Sequence, residues 1–138
     1  MSGPALRKVT SHEAIHDAAL QEARELTNII ENLMKNNDRE RALQVALIAI
    51  EHWETRTLAH AEAEEEGLYL EIASESEEKK RIITQLIRDH DLMRRIVAML
   101  KDQLIHNGIT EHSIKQLHTL IIIDEYHNAD EMKVLPNH

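Results

Sequence analysis

Two five-residue stretches hold the residues of this chain best suited to chemistry: His60-Ala61-Glu62-Ala63-Glu64 and His127-Asn128-Ala129-Asp130-Glu131. On a helix, an imidazole and a carboxylate four residues apart project from nearly the same side, one turn apart, so one metal ion can take both. Each stretch is preceded by a further histidine set in an apolar helical pattern, His16 before the first and His90 before the second. The chain reads as two halves of one plan, and the plan makes a metal site.

Imidazole with carboxylate and no thiolate suits iron, manganese or zinc better than a soft metal, and carboxylates from different helices can bridge two ions. The expected site is dinuclear, with iron as the leading metal and manganese or zinc as the others. Four histidines supply one bond each and two bridging glutamates four more, against roughly twelve positions on two octahedral ions. An oxo or hydroxo bridge takes two, leaving room for dioxygen, peroxide or nitric oxide.

Those side chains must be carried by helices. The chain has only 3 Gly, 2 Pro and no Phe, and is rich in strong helix formers, so an all-α fold is expected. After an irregular arm over about 1–9, Thr10 with Glu13 has the form of a capping box. It opens a helix over about 11–36 through Ile15, Ala19, Ala23, Leu26, Ile30 and Leu33. Asp38 caps a second helix with Ala42, Ala46, Ala49, Trp53, His60 and Ala63 on one side, running on through Leu68 and Ile72 with a bend at Gly67. Ser74 with Glu77 forms a second capping-box candidate before a third helix through Ile83, Leu86, His90, Met93, Val97, Leu100 and Leu104, which Asn107-Gly108 stops. Thr110 caps a fourth through Ile114, Leu117, Leu120, Ile121, Ile123, His127, Glu131 and Val134, ended by Pro136.

Four amphipathic helices with short turns predict one domain over residues 1–138, an antiparallel up-down-up-down four-helix bundle. With hairpin tips near 37 and 108, His16 lies 21 residues before its tip and His60 lies 23 after. His90 lies 18 before its tip and His127 lies 19 after. All four fall toward one end of the bundle.

A formal charge of −9 argues against nucleic acid or an anionic membrane as partner. The absence of cysteine excludes disulfides, thiolate nucleophiles and iron–sulfur ligation. No signal-peptide pattern or membrane span is read, so a cytoplasmic protein is expected; the sequence points to no particular protein partner.

The pattern His, His-x-x-x-Glu, His, His-x-x-x-Glu on successive helices resembles the hemerythrin-like, or His-His-Glu cation-binding, family, over about residues 10–136. The stretches Glu64-Glu65-Glu66-Gly67-Leu68-Tyr69 and Val134-Leu135-Pro136 are similar to the tails that follow the family's two pairs. The resemblance implies His16, His60, Glu64, His90, His127 and Glu131 as ligands of a non-haem diiron centre that handles or senses dioxygen, peroxide or nitric oxide. Oxygen-carrying members have a further histidine one turn before the third-helix histidine, where this chain has Leu86. His12, one turn before His16, can supply that fifth imidazole from helix 1 through the pseudo-twofold relation of the halves. Ala61 and Asn128 stand where many relatives place an aromatic residue, which counts against a reversible oxygen carrier.

The alternatives are a non-catalytic iron-binding or iron-sensing bundle and a ferritin-like diiron oxidase, whose Glu-x-x-His motif is complete only at Glu13-x-x-His16. His52 is read as packing or as a support to the ligands, and His106, His112, His118 and His138 as surface residues. Glu62, Glu65 and Glu66 are read as a solvated face, with Glu65 as a fallback ligand. Tyr69 and Tyr126 are read as core packing ahead of a role at the site.

Overall fold

A computed structural model describes the backbone of residues 9–135 and the side chains from residue 12 onward. The described chain is helical, with no strand: α1 Val9–Lys35, α2 Arg39–His52, a π-helical segment Trp53–Leu58, α3 Ala59–Glu66, α4 Leu68–Ala73, α5 Glu77–Asn107 and α6 Glu111–Met132. No helix among the described residues is long and apolar enough to cross a membrane.

The expected stop and start signals are mostly where the sequence puts them. Asp38 accepts a hydrogen bond from Arg41 N at the start of α2. Thr110 and Ser113 cap α6 reciprocally, and Gly108, at φ 77°, ends α5 in a conformation that glycine tolerates best. Two caps differ. The first helix already contains Val9 and Thr10, so Thr10 does not precede it, and its side chain, like most of the 1–9 arm, Pro136 and His138, lies outside the described residues. Before α5 the cap is Ser76, whose hydroxyl accepts from Lys79 N, while Ser74 Oγ donates to Glu71 O. Gly67 breaks the helix outright, with α3 ending before it and α4 starting after it.

Helix α1 packs on α2 and α6, and α5 packs on α6, α4 and α2. Along α1 and α6 the paired residues run in opposite order: His12 with Glu131, Arg24 with Glu125, Glu31 with His118. The apolar interior has two parts. The larger joins Ile30, Ala46, Trp53, Met93, Leu100 and Leu120, and the smaller joins Tyr69, Ile72, Ile83, Leu86, Val134 and Leu135. On α5, Ile83 and Leu86 belong to the smaller part and Met93 to the larger, with His90 between them. Along α6 and the residues just past its end, Leu120 and Ile121 belong to the larger and Val134 to the smaller, with Asp124, His127 and Glu131 between them. A buried polar layer therefore separates two dry ones.

The π-helical segment sets which side chains of α3 reach that layer. In an unbroken α-helix, at about 100° per residue, Ala61 and Ala63 would stand symmetrically at about 80° on either side of Trp53. A π turn takes in one extra residue and sets back all that follows by about 100°. Ala61 is accordingly buried and Ala63 exposed, contrary to the placement of Ala63 beside Trp53 and His60. The same rotation aims His60 and Glu64 toward α1.

Candidate metal centre

The polar layer gathers all seven sequence-predicted ligands. Their donor atoms form two groups, His12, His16, His60 and Glu64 in one and Glu64, His90, His127 and Glu131 in the other, each with its atoms within 4.8 Å of one another. Both groups could hold a metal ion. Each carboxylate spans them. Glu64 turns Oε2 toward His12 (2.6 Å), His60 (3.6 Å) and His16 (3.7 Å), and Oε1 toward His90 (3.5 Å). Glu131 turns Oε1 toward His12 (3.0 Å) and His16 (3.5 Å), and Oε2 toward His127 (3.4 Å).

These spacings test the fit of a metal. Ligand atoms at about 2.1 Å from one ion lie about 3.0 Å apart when cis in an octahedron and about 4.2 Å apart when trans. The two imidazole nitrogens His90 Nε2 and His127 Nε2 are 3.1 Å apart, and those of His12 and His60 are 3.4 Å apart. The nitrogen–carboxylate separations of 3.0–3.7 Å fall in the same range, apart from the 2.6 Å His12–Glu64 hydrogen bond. Glu131 Oε1 is buried, with His12 Nε2 at 3.0 Å and His16 Nδ1 at 3.5 Å as its nearest imidazole nitrogens. A cation between the rings would satisfy it.

The electrostatics of the protein without metal point the same way. Burial lowers the His16 imidazole to about 4 and, with His127 close by, the His90 imidazole to about 3, so both are neutral near pH 7, as metal binding requires. Burial also opposes a charge on His12, but Glu131 and Glu64 outweigh it and hold that ring at about 10; His127, against Glu131 and Asp89, is held at about 9. The two glutamates divide in the manner of facing carboxylates. Burial pushes Glu64 up, whereas at Glu131 the imidazoles of His12 and His127 close beside it overcome burial and keep it well below the usual range.

The rings are oriented from outside the layer. His90 Nδ1 donates to Glu65 Oε2 at 2.6 Å, and Arg94 bonds the same carboxylate at 3.0 Å. His127 Nδ1 donates to Asp89 Oδ2 at 2.9 Å. These contacts fix each ring with Nε2 toward the centre and raise its basicity. Tyr69 donates its hydroxyl to Glu131 Oε2 and stacks on His90 with ring centroids 5.5 Å apart. Glu65 is thus no solvated residue, and Tyr69 does more than pack. Asp89 was not singled out, because its partner sits on another helix; its only local signal is its place beside His90.

Other expected residues stay outside. His52 is buried and bonds Ala19 O at 2.8 Å, while His106 and His112 are exposed and His118 pairs with Glu31. Tyr126 is 73% exposed, and Glu13 is exposed, so the Glu-x-x-His motif brings no carboxylate to the layer. Leu86 is buried in the smaller apolar part, and the fifth imidazole near the centre is His12 from α1.

A small cavity of about 30 Å³ opens at the centre in the protein without metal, bordered by His16, His60, His90, His127 and Glu64, by Ile15, Ala19 and Met93, by Arg56 and Thr57, and by Asp124 and Asn128. Asp124 is 3% exposed, and burial raises its carboxyl to about 7. Comparison with protein-family models, curated proteins and solved structures finds no match to this chain.

Proposed function

We propose that this chain is a hemerythrin-like, non-haem dinuclear iron protein, an antiparallel up-down-up-down four-helix bundle that handles or senses dioxygen, peroxide or nitric oxide. One observation carries the reading: Glu64 and Glu131 each turn one oxygen toward the α1 histidines and the other toward His90 or His127, as bridging carboxylates would. The opposed order of the α1–α6 pairs supports the antiparallel arrangement. With His12, His16 and His60 on one side and His90 and His127 on the other, the residues that would hold the two ions are unequal in number, and a small ligand would find more room on the His90/His127 side.

Bound iron would supply reversible one-electron chemistry and exchangeable positions for such a ligand. The protein's own part is to hold the rings and exclude water. Glu65 and Asp89 keep a proton on the outer nitrogens of His90 and His127, Tyr69 holds a proton at Glu131 Oε2, and the apolar parts on either side seal the layer. A ferritin-like oxidase is disfavoured by the exposure of Glu13.

Metal analysis with an absorption spectrum of protein from iron-supplied cells tests the proposal. About two irons per chain and a near-ultraviolet ligand-to-metal band are expected. One metal per chain, or none, refutes the dinuclear site.

A further inference from the structure

Asp124 is the one carboxyl of the polar layer that the proposed ligand set does not use. It is 3% exposed, makes no hydrogen bond or ion pair among the described residues, and borders the cavity beside the centre. Asn128, one turn further along α6, borders the same cavity with its buried Oδ1 without a hydrogen-bond partner. Both sites cost free energy unless something donates to them, because an unsatisfied buried acceptor loses its water without replacement. Ile15, Ala19 and Met93 contribute apolar walls, and Arg56 and Thr57 polar ones that make no hydrogen bond to Asp124 or Asn128 among the described residues. About 30 Å³ is room for about two water-sized groups.

We propose that Asp124 and Asn128 form a subsite for hydrogen peroxide, selecting a small ligand that carries its own O–H groups over dioxygen or nitric oxide. This rests on the metal reading above, since the subsite matters only beside a centre that the ligand can reach. Hydrogen peroxide has two O–H donors, one for each acceptor. Dioxygen and nitric oxide have neither donor, so they leave both acceptors unsatisfied. Asp124 is a specificity-determining residue in this scheme, holding the distal O–H of the ligand while the centre holds the other end.

Two measurements test the subsite. In protein loaded with redox-inert zinc, hydrogen peroxide should shift the Asp124 carboxyl-carbon and Asn128 side-chain amide NMR signals saturably, while dioxygen should not. In iron-loaded protein, Asp124→Leu should slow the reaction with hydrogen peroxide at least tenfold, by stopped-flow absorption, and change the dioxygen reaction less than twofold at unchanged iron content. Absent NMR shifts in a two-metal protein, or equal rate losses with both oxidants, would mean a space for structural water and overturn the subsite alone. If Asp124→Leu does not fold, the zinc-protein titration of the unaltered chain decides by itself. Unaltered protein that holds no metal overturns the metal reading, and the subsite with it.

Discussion

Replacing Asp124 by asparagine, which keeps the shape and removes the charge, should stabilise the metal-free protein in a pH-dependent way. The carboxyl is raised by burial from 3.8 to about 7 in the fold. Below pH 4 it is protonated in both folded and unfolded chains, and the substitution should change little. Between about pH 4 and 7 the unfolded chain ionises while the folded chain keeps its proton, so stability falls as pH rises, by about 1.4 kcal/mol per unit. Above pH 7 the loss is complete, and a shift from 3.8 to about 7 corresponds to about 4 kcal/mol. Asp124→Asn escapes that loss, so its melting temperature should exceed that of the unaltered chain by roughly 10 °C at pH 8 and match it near pH 4. His12 and His127 also titrate, at about 10 and 9, but they do so in both proteins and leave the difference nearly untouched. Urea and thermal unfolding in chelator between pH 4.5 and 8.5 measure it. Parallel pH profiles for the two proteins would refute the buried, unpaired carboxyl. Metal loading should shrink the difference, because cations beside Asp124 favour its ionised form.

Glu64→Ala and Glu131→Ala should each lose both metals, Asp89→Ala should weaken binding about 10–100-fold, and His52→Ala should leave metal content unchanged; metal analysis after dialysis ranks them. His12→Ala should retain both irons but change the visible spectrum and azide binding, while His16→Ala should lose metal; equal iron loss in the two variants would reverse their assigned roles. Deleting Thr55 removes the extra residue of the π-helical segment and swings His60 and Glu64 away by about 100°, so metal binding should vanish while circular dichroism stays helical. Thr55→Ala, which keeps the chain length, should bind metal normally.

The clustering of the candidate ligands was legible because a shared metal site would demand repeating helical positions, and two His-x-x-x-Glu pairs with two further histidines form a pattern that spacing alone exposes. Their supports were not, because Glu65 reaches His90 and Asp89 reaches His127 across helix boundaries. Asp124 is a different case. It lies on the same stripe of α6 as His127 and Glu131, at i, i+3 and i+7, yet a search for apolar periodicity passes over a carboxylate and assigns it to solvent. A charged residue between Ile121 and His127 on a core-facing stripe is itself the signal, since ionisable groups rarely sit there without a task.

The π-helical segment was invisible for a related reason. Trp53-Glu54-Thr55-Arg56-Thr57-Leu58 contains neither Gly nor Pro, the residues that usually announce a departure from the α-helix. The segment is stable because tertiary demands on either side of it conflict. Upstream, Ala42, Ala46, Ala49 and Trp53 must face the larger apolar part, while downstream His60 and Glu64 must face α1 and Ala61 must be buried. An unbroken α-helix satisfies one set or the other, and one extra residue satisfies both. The rotation that brings Glu64 between the two groups of histidines is therefore written in the packing of both ends of the helix and in no local motif.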